Sequence, residues 1–306
     1  MEYLNMRSVQ FNEYGEPEVL HLAEVAEPHA GPGQVRIAVH VAGVNPIDWR
    51  IRAGYMREFM PRPLPSGVGV DASGVIDQIG EGVSGVAIGD AIFGSGIDTT
   101  AEYAILTDWA LKPSNLSFEE AAGFGTPVET ATRILDLVSP AKGTTILVSG
   151  AAGGVGSALV QLAQQRGLKV IGTASAPKHD YLRSLGAVPT TYGPGLVERV
   201  GALAPDGISA AFDLVGSGDI PDLIQITGNA ASVVSIVDFS AMQHGAHMST
   251  ARSADLGKLL AEAAALSEAG AFKIPVEKLF APDEVAEAHK ISQAGHVTGR
   301  LAIKIR

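Results

Sequence analysis

The sequence predicts an α/β chain in two parts: a β-rich, barrel-like part, and a doubly wound parallel sheet inserted into it. Three observations predict this. Residues up to about 116 read as short alternating strands cut at close intervals by glycine and proline. From Ser117 to about residue 271, apolar strands alternate with helical segments, which requires a parallel sheet covered by helices on both faces. The chain then ends in GRLAIKIR, a strand able to rejoin the first part. The boundaries that follow are residues 1–116 with 272–306, and 117–271.

In chain order, RSVQF and HLAEV read as the first strands. QVRIAVHV alternates cleanly, with Val35, Ile37, Val39 and Val41 on one face and Arg36, Ala38 and His40 on the other. SGVIDQIG, DAIFG and AEYAIL follow as further strands. SFEE then places Ser117 as an N-cap with Glu120 three residues on, a capping box. TTILVSG is a buried strand leading to a helix over Gly154–Arg166, closed by Gly167. KVIGTA is the next strand, and its helix runs from Pro177 to Leu185, closed by Gly186. AVPTTY, a helix near Leu196–Ala204, and the strands ISAAFDLV and ASVVSIVD continue the series. A long Ala-rich helix covers roughly Ala254–Ala269. KIPVEKLF, PDEVAEAHKISQ and GRLAIKIR read as strand, helix and strand. There is no internal repeat and no low-complexity linker.

Composition narrows the function classes. Of 306 residues, 46% are hydrophobic and 18% charged, as in a folded soluble protein. Thirty-three acidic against 22 basic side chains leave a net charge of −11, which argues against a general nucleic-acid binder or a polybasic membrane-surface protein. With no cysteine, disulfides and thiolate zinc sites are impossible. The eight histidines are scattered, and the nearest pair, His244 and His247, reads as two polar loop residues; no metal site is expected. MEYLNMRSVQFNEYG has no apolar run of signal-peptide type, and no stretch is long and apolar enough to span a bilayer, so a cytoplasmic protein is expected.

The turn after TTILVSG reads Gly150-Ala-Ala-Gly153-Gly154-Val-Gly156, spaced G-x-x-G-x-x-G rather than G-x-G-x-x-G. The mechanics are shared. Small residues let the backbone approach a pyrophosphate, and the next helix aims free N–H groups and a positive dipole end at it. An NAD site carries Asp or Glu about 20 residues further on, at the end of the second strand. Here that strand ends Gly172-Thr173-Ala174-Ser175, with Lys178 following and no carboxylate at the strand end. A hydroxyl and a cation suit a 2′-phosphate, which an acid would repel. The expected cofactor is therefore NADP(H). The plainer reading of Ser175 and Lys178 is a helix cap and a solvated charge. Asp180, on the helix, is expected to face solvent.

AGVNPIDWRIRAG, PSGVGVDASGVIDQIGEGVSGVAIGDAIFG, AEYAIL, AAGGVG and GHVTGR occur in one order along the whole chain. In that order they resemble the zinc-independent quinone oxidoreductase and zeta-crystallin branch of the medium-chain dehydrogenase/reductases. The resemblance implies a GroES-like catalytic domain with an inserted Rossmann domain. It also implies NADPH use, reduction of quinones or activated carbon–carbon double bonds, and a homodimer built through the Rossmann sheet edge. Zinc-dependent relatives carry a cysteine where this chain has Asn45, a His-Glu pair where it has Gly69, Val70 and Asp71, and a four-cysteine lobe absent here. Metal-assisted alcohol chemistry is therefore not expected.

By the same resemblance, Asn45 and Thr130 would lie near the nicotinamide, and Ala152, Gly153, Gly154 and Val155 on the pyrophosphate turn. Ser175, Lys178 and Tyr192 would hold the adenosine 2′-phosphate, and Val215 and Ile236 would line the cofactor cleft. Three departures mark this chain: a long loop RAGYMREFMPRPLP, a trimmed region after Asp238, and no glycine pair before AEYAILTD.

Catalytic candidates are Tyr55, a phenol able to donate and shuttle a proton, and Asn45. The bland alternative for Tyr55 is an amphipathic residue at a loop edge, with water as proton source. Asn45 at N-cap, Pro46 at N1 and Asp48 at N3 also make a good helix start, so Asp48 is expected to be structural. Trp49 reads as wall or core, and Arg50 and Arg52 as solvated. Besides the NADPH-dependent reductase, an enoyl-thioester reductase and a non-catalytic NADPH-binding structural or sensor protein remain open.

Overall fold

The computed structural model describes residues 4–250, 252–253 and 255–306. The chain forms two compact units, Met1–Thr126 with Asp255–Arg306, and Pro127–Ala254. In chain order the first unit begins with β1 (Asn5–Phe11), β2 (His21–Ala26), β3 (Val35–Val44), α1 (Pro46–Arg52), β4 (Ser66–Gly67), β5 (Asp71–Ile79), β6 (Ala91–Ile97), β7 (Tyr103–Leu111) and α2 (Phe118–Ala121). Then come α3 (Gly125–Val138), β8 (Thr145–Ser149), α4 (Gly154–Gln165), β9 (Lys169–Thr173), α5 (His179–Ser184), β10 (Val188–Thr190) and α6 (Leu196–Leu203). They are followed by β11 (Ala210–Asp213), α7 (Ile220–Thr227), β12 (Val233–Ser235) and β13 (His247–Met248). The first unit is completed by α8 (Leu256–Glu268), β14 (Val276–Phe280), α9 (Val285–Ala294) and β15 (Arg300–Lys304). The sequence starts the Ala-rich helix at Ala254, which lies outside the described residues. The helix packs on β7 within the first unit, where Asn115 Nδ2 donates to Ser267 O (3.3 Å).

In the first unit one sheet runs β14-β15-β3-β5-β6-β7, and β3 also pairs with β7, closing the strands on themselves. The alternation read in QVRIAVHV is the reason. Val35, Ile37 and Val39 point inward and pack with Ala72, Ile76, Ile92, Ala104 and Leu106. β15 joins antiparallel to β3, with Leu301 opposite Val44, so the chain's last strand completes this sheet. A smaller sheet runs β2-β1-β4.

In the second unit all strand pairs are parallel, in the order β10-β9-β8-β11-β12-β13. This is the doubly wound order whose switch point falls between β8 and β11. Leu147, Ile171, Ala211 and Val233 of the sheet pack with Leu196 and Val200 of α6 and Ile220 and Leu223 of α7.

One expectation is overturned in α1. Arg52 was read as solvated, but it is fully buried and donates to Gly15 O (2.6 Å) and Gln293 Oε1 (3.0 Å). The helical spacing from Asp48 to Arg52 puts both on the buried face of α1. Arg50 is half-buried, its guanidinium 5.3 Å from the Trp49 ring centre.

Candidate coenzyme and catalytic site

The second unit presents five loops at the carboxyl ends of β8 to β12. Because the sheet is parallel, all five emerge at one edge. After β8 the chain turns through Gly150–Gly153 into α4. Gly150 has φ +81°, and a Cβ there would lie 2.5 Å from Val215 Cγ2, so only glycine fits. A Cβ at Gly156 would lie 2.4 Å from Gly150 O, which shows how closely the helix lies on its own turn. Gly150 N donates to Thr173 Oγ1 (3.1 Å) and Ala151 N to Thr173 O (3.0 Å), tying the turn to β9. Gly153 is the N-cap of α4 and supplies no side-chain cap, so backbone donors of the first turn are left for another acceptor. Ala152 is buried, and Gly153, Gly154 and Val155 are half-buried around that opening.

After β9, Ser175 caps a 3₁₀ turn, Ala176–Lys178, with Lys178 N bonded to Ser175 O (2.9 Å). The Ser175 hydroxyl makes no cap bond. Asp180, the nearest carboxylate in sequence, is 96% exposed at its side chain and paired with Arg183 (2.6 Å), facing solvent as read. Tyr181 ties α5 to α4 through Ser157 Oγ (2.8 Å), and burial pushes its phenol up. After β10 the loop carries Tyr192, 52% exposed. Ala174 N donates to Thr190 O (3.1 Å), so the Ser175 and Tyr192 loops leave adjacent strand ends.

The β11 and β12 ends hold two residues that sequence reading missed. Asp213 is buried; its Oδ1 accepts from Val215 N (3.0 Å) and Gly216 N (2.9 Å), and its Oδ2 from Ser235 Oγ (2.7 Å). Ser235 Oγ in turn accepts from Val237 N (3.1 Å) and Asp238 N (2.9 Å). This knot fixes the loops that bear exposed Val215 and half-buried Ile236. Its signal was visible: a carboxylate and a hydroxyl closing otherwise apolar strands. Thr130 is on α3, buried, with its hydroxyl donated to Glu129 Oε2 (3.2 Å). Glu129 also accepts from Arg133 Nε (2.9 Å) and Ser253 N (2.7 Å).

In the first unit a second polar cluster surrounds Asn45. Asn45 N donates to Asp48 Oδ2 (2.7 Å), so Asp48 holds the helix start as a structural residue, as expected. The Asn45 side chain makes no cap bond; its Nδ2 donates to Asp71 Oδ2 (3.0 Å). A carboxylate is the stronger acceptor, and it draws the amide away from the helix. Asp71 also accepts from Ser95 Oγ (2.8 Å) and Thr126 N (2.8 Å), and Arg300 Nη2 stands 3.6 Å from its Oδ2 with both side chains buried. Since Asp71 takes the amide nitrogen, Asn45 Oδ1 is left buried without a hydrogen bond, as are Asp48 Oδ1 and Arg300 Nε and Nη2. Burial pushes Asp48 up to about 7, opposed by the Asn45 N–H and aided by the Asp71 charge. At Gly69 (φ +94°) the space of a side chain is filled by the Thr99 and Thr100 hydroxyls, each 2.6 Å from a Cβ built there. Tyr55 is 67% exposed, its ring edge-on to Trp49 (6.0 Å). Among the described residues no cluster of His, Cys, Asp and Glu is arranged to hold a metal.

A closed β unit joined to a doubly wound sheet with a glycine turn at its switch point defines a two-domain dinucleotide-binding dehydrogenase. Comparison with known proteins bears on the branch. Residues 31–131 match the alcohol dehydrogenase GroES-like domain, and residues 154–261 match the zinc-binding dehydrogenase domain. The 2-methylene-furan-3-one reductase of Solanum lycopersicum is 31% identical over 97% of this chain and 79% of its own. The chloroplastic NADPH-dependent alkenal/one oxidoreductase of Arabidopsis thaliana is 29% identical over 97% and 79%. The quinone oxidoreductase of Homo sapiens is 42% identical over about half of each chain, 55% of this one and 53% of that one. The solved quinone oxidoreductase of Coxiella burnetii superposes with a TM-score of 0.86 at 30% identity, covering 99% of this chain and 100% of that one. The chain belongs to the quinone oxidoreductase branch of the medium-chain dehydrogenase/reductase superfamily, a family of NAD(P)-binding oxidoreductases.

Proposed function

We propose that this chain is an NADPH-dependent reductase of quinones or α,β-unsaturated carbonyl compounds. The observation that carries the coenzyme choice is the end of β9: a serine hydroxyl not used for capping and a lysine, where an NAD site has an acid. The residues fit the group. The glycine turn leaves room for a pyrophosphate beside an uncapped helix start, with Ala152, Gly153, Gly154 and Val155 around it. Ser175, Lys178 and Tyr192 hold the 2′-phosphate, and Val215 and Ile236 flank the cofactor on loops braced by Asp213. Thr130 and Asn45 serve the nicotinamide end; for Asn45 the basis is Oδ1, a buried acceptor whose orientation Asp71 has already set.

The nicotinamide, when bound, supplies the hydride, and the protein supplies orientation and a proton. Reduction of an enone builds charge on its carbonyl oxygen, and a hydroxyl donor stabilises that charge. Tyr55 is the donor proposed here: its phenol is exposed and its ring rests on Trp49. Likeness to reductases of both enones and quinones supports this substrate range. We further propose a cytoplasmic homodimer that pairs along β13, the terminal strand of the parallel sheet, since an edge strand offers free backbone groups to a second copy. No helix among the described residues is long and apolar enough to cross a membrane.

The test is a steady-state screen of NADPH oxidation with simple quinones, short alkenals and a short enoyl thioester, each repeated with NADH. Turnover of a quinone or alkenal with NADPH is the expected result. Turnover of the thioester alone would move the chain to the enoyl reductases, and coenzyme binding without any turnover would make it a non-catalytic binder. Light scattering measures the dimer.

A further inference from the structure

Arg199 is not among the residues assigned to the coenzyme, yet its bonds all serve one loop. On α6, its Nη1 donates to Pro194 O (2.7 Å), and Nη2 is shared among Thr191 O (3.0 Å), Gly193 O (3.2 Å) and Tyr192 O (3.3 Å). Its own N–H closes the turn on Gly195 O (3.1 Å). The loop it fills, Thr-Tyr-Gly-Pro-Gly, has two left-handed glycines, Gly193 (φ +83°) and Gly195 (φ +79°). None of the loop's residues is buried, so no side chain packs it into the core, and a planar guanidinium fork takes four of its carbonyls instead. Tyr192 is the exposed aromatic of that loop, two residues past Thr190, which pairs with Thr173 at the end of β9. The loop therefore stands beside Ser175.

We infer that Arg199 is a positioning residue for coenzyme selection: it holds the 191–194 loop so that Tyr192 faces the 2′-phosphate. It rests on the proposed use of NADPH. A loop ordered before the ligand arrives does not charge its ordering entropy to binding, so loss of the brace falls on affinity. It falls chiefly on NADPH, because NADH brings the same adenosine ribose without the 2′-phosphate that Tyr192 is proposed to face. Lysine keeps the charge but cannot hold several carbonyls at once, so it does not substitute.

Calorimetric titration of the whole protein with NADPH and with NADH tests this without turnover. Arg199→Lys and Arg199→Met are each expected to raise the Kd for NADPH about tenfold and that for NADH less than about twofold. Combining Arg199→Lys with Tyr192→Phe should cost no more NADPH affinity than Tyr192→Phe alone, because the two act through one contact. If the methionine variant fails to fold, the lysine variant and this cycle still decide. Full NADPH affinity in Arg199→Lys, an equal loss for both coenzymes, or additive losses in the double variant would overturn the brace. A wild-type protein without preference for NADPH would instead overturn the coenzyme reading, and the inference with it.

Discussion

The two polar regions of this molecule are built on opposite principles. At the edge of the parallel sheet, backbone does most of the work. Glycines open the turn, α4 starts without a side-chain cap, and the buried carboxylate of Asp213 is satisfied by two N–H groups and a serine. Around Asn45, side chains do the work inside a closed core, and several are left short: Asn45 Oδ1, Asp48 Oδ1 and two Arg300 nitrogens make no hydrogen bond. The first arrangement leaves backbone donors that suit a large anion, as proposed above. The second stores unmet polar capacity where water is scarce, and its groups are costly to disturb.

The largest effect is expected where the second region is cut. Asp71→Leu leaves Arg300 buried without a countercharge and removes the acceptor of Asn45, Ser95 and Thr126. Urea unfolding should show a loss of about 3–5 kcal/mol; a neutral result would mean that this cluster does not support the fold. The corresponding cut in the first region is Gly156→Val. Its Cβ meets Gly150 O at 2.4 Å, so the turn must open, at about 1–3 kcal/mol in stability and with loss of coenzyme affinity.

Within the first unit, two buried groups respond to pH with opposite sign. Asp48, pushed up to about 7 in the fold by burial, binds its proton more tightly folded than unfolded. Its contribution to stability is therefore greatest at low pH and falls as pH rises from about 4 to about 7. His289, pushed down to about 3 by burial and the Arg52 charge, has the opposite sign: its contribution is full above about 6.5 and is lost toward pH 3. Thermal unfolding across pH should flatten at the upper end in Asp48→Asn and at the acid end in His289→Gln. Unchanged profiles would show that neither group titrates with folding.

The smallest structural effect is expected at Tyr55. It is mostly exposed, so Tyr55→Phe should leave the unfolding midpoint within about 1 °C, in line with a surface change. Enone reduction should slow by roughly 100-fold if its hydroxyl delivers the proton. Unaltered kcat would assign the proton to water.

These contrasts explain what was legible in the sequence. The β-rich part, the alternating segment and the closing strand were readable because burial imposes periods that composition records, as in Val35, Ile37 and Val39. The glycine turn was readable because only glycine fits Gly150 and Gly156. Arg52 was misread because helical spacing alone does not say which stripe faces the core. The helix start at Asn45 was legible because its geometry is local, but the turn of its amide toward Asp71, 26 residues away, was not. Arg300 could not be placed beside Asp71 from any local pattern, since the strands β5 and β15 that carry them are joined only through β3. Asp213 and Ser235 left a visible mark as polar ends of apolar strands, and it was overlooked.

The coenzyme choice proposed above rests on the end of β9 selecting a 2′-phosphate. Its most direct measurement is the Kd of NADPH and of NADH for the wild-type protein, for Lys178→Ala and for Ser175→Glu. The wild type should bind NADPH at least about tenfold more tightly than NADH, as expected for a charge-assisted contact. Lys178→Ala should erase much of that preference, and Ser175→Glu should reverse it toward NADH. Equal affinities in the wild type, or a preference that survives both substitutions, would contradict it.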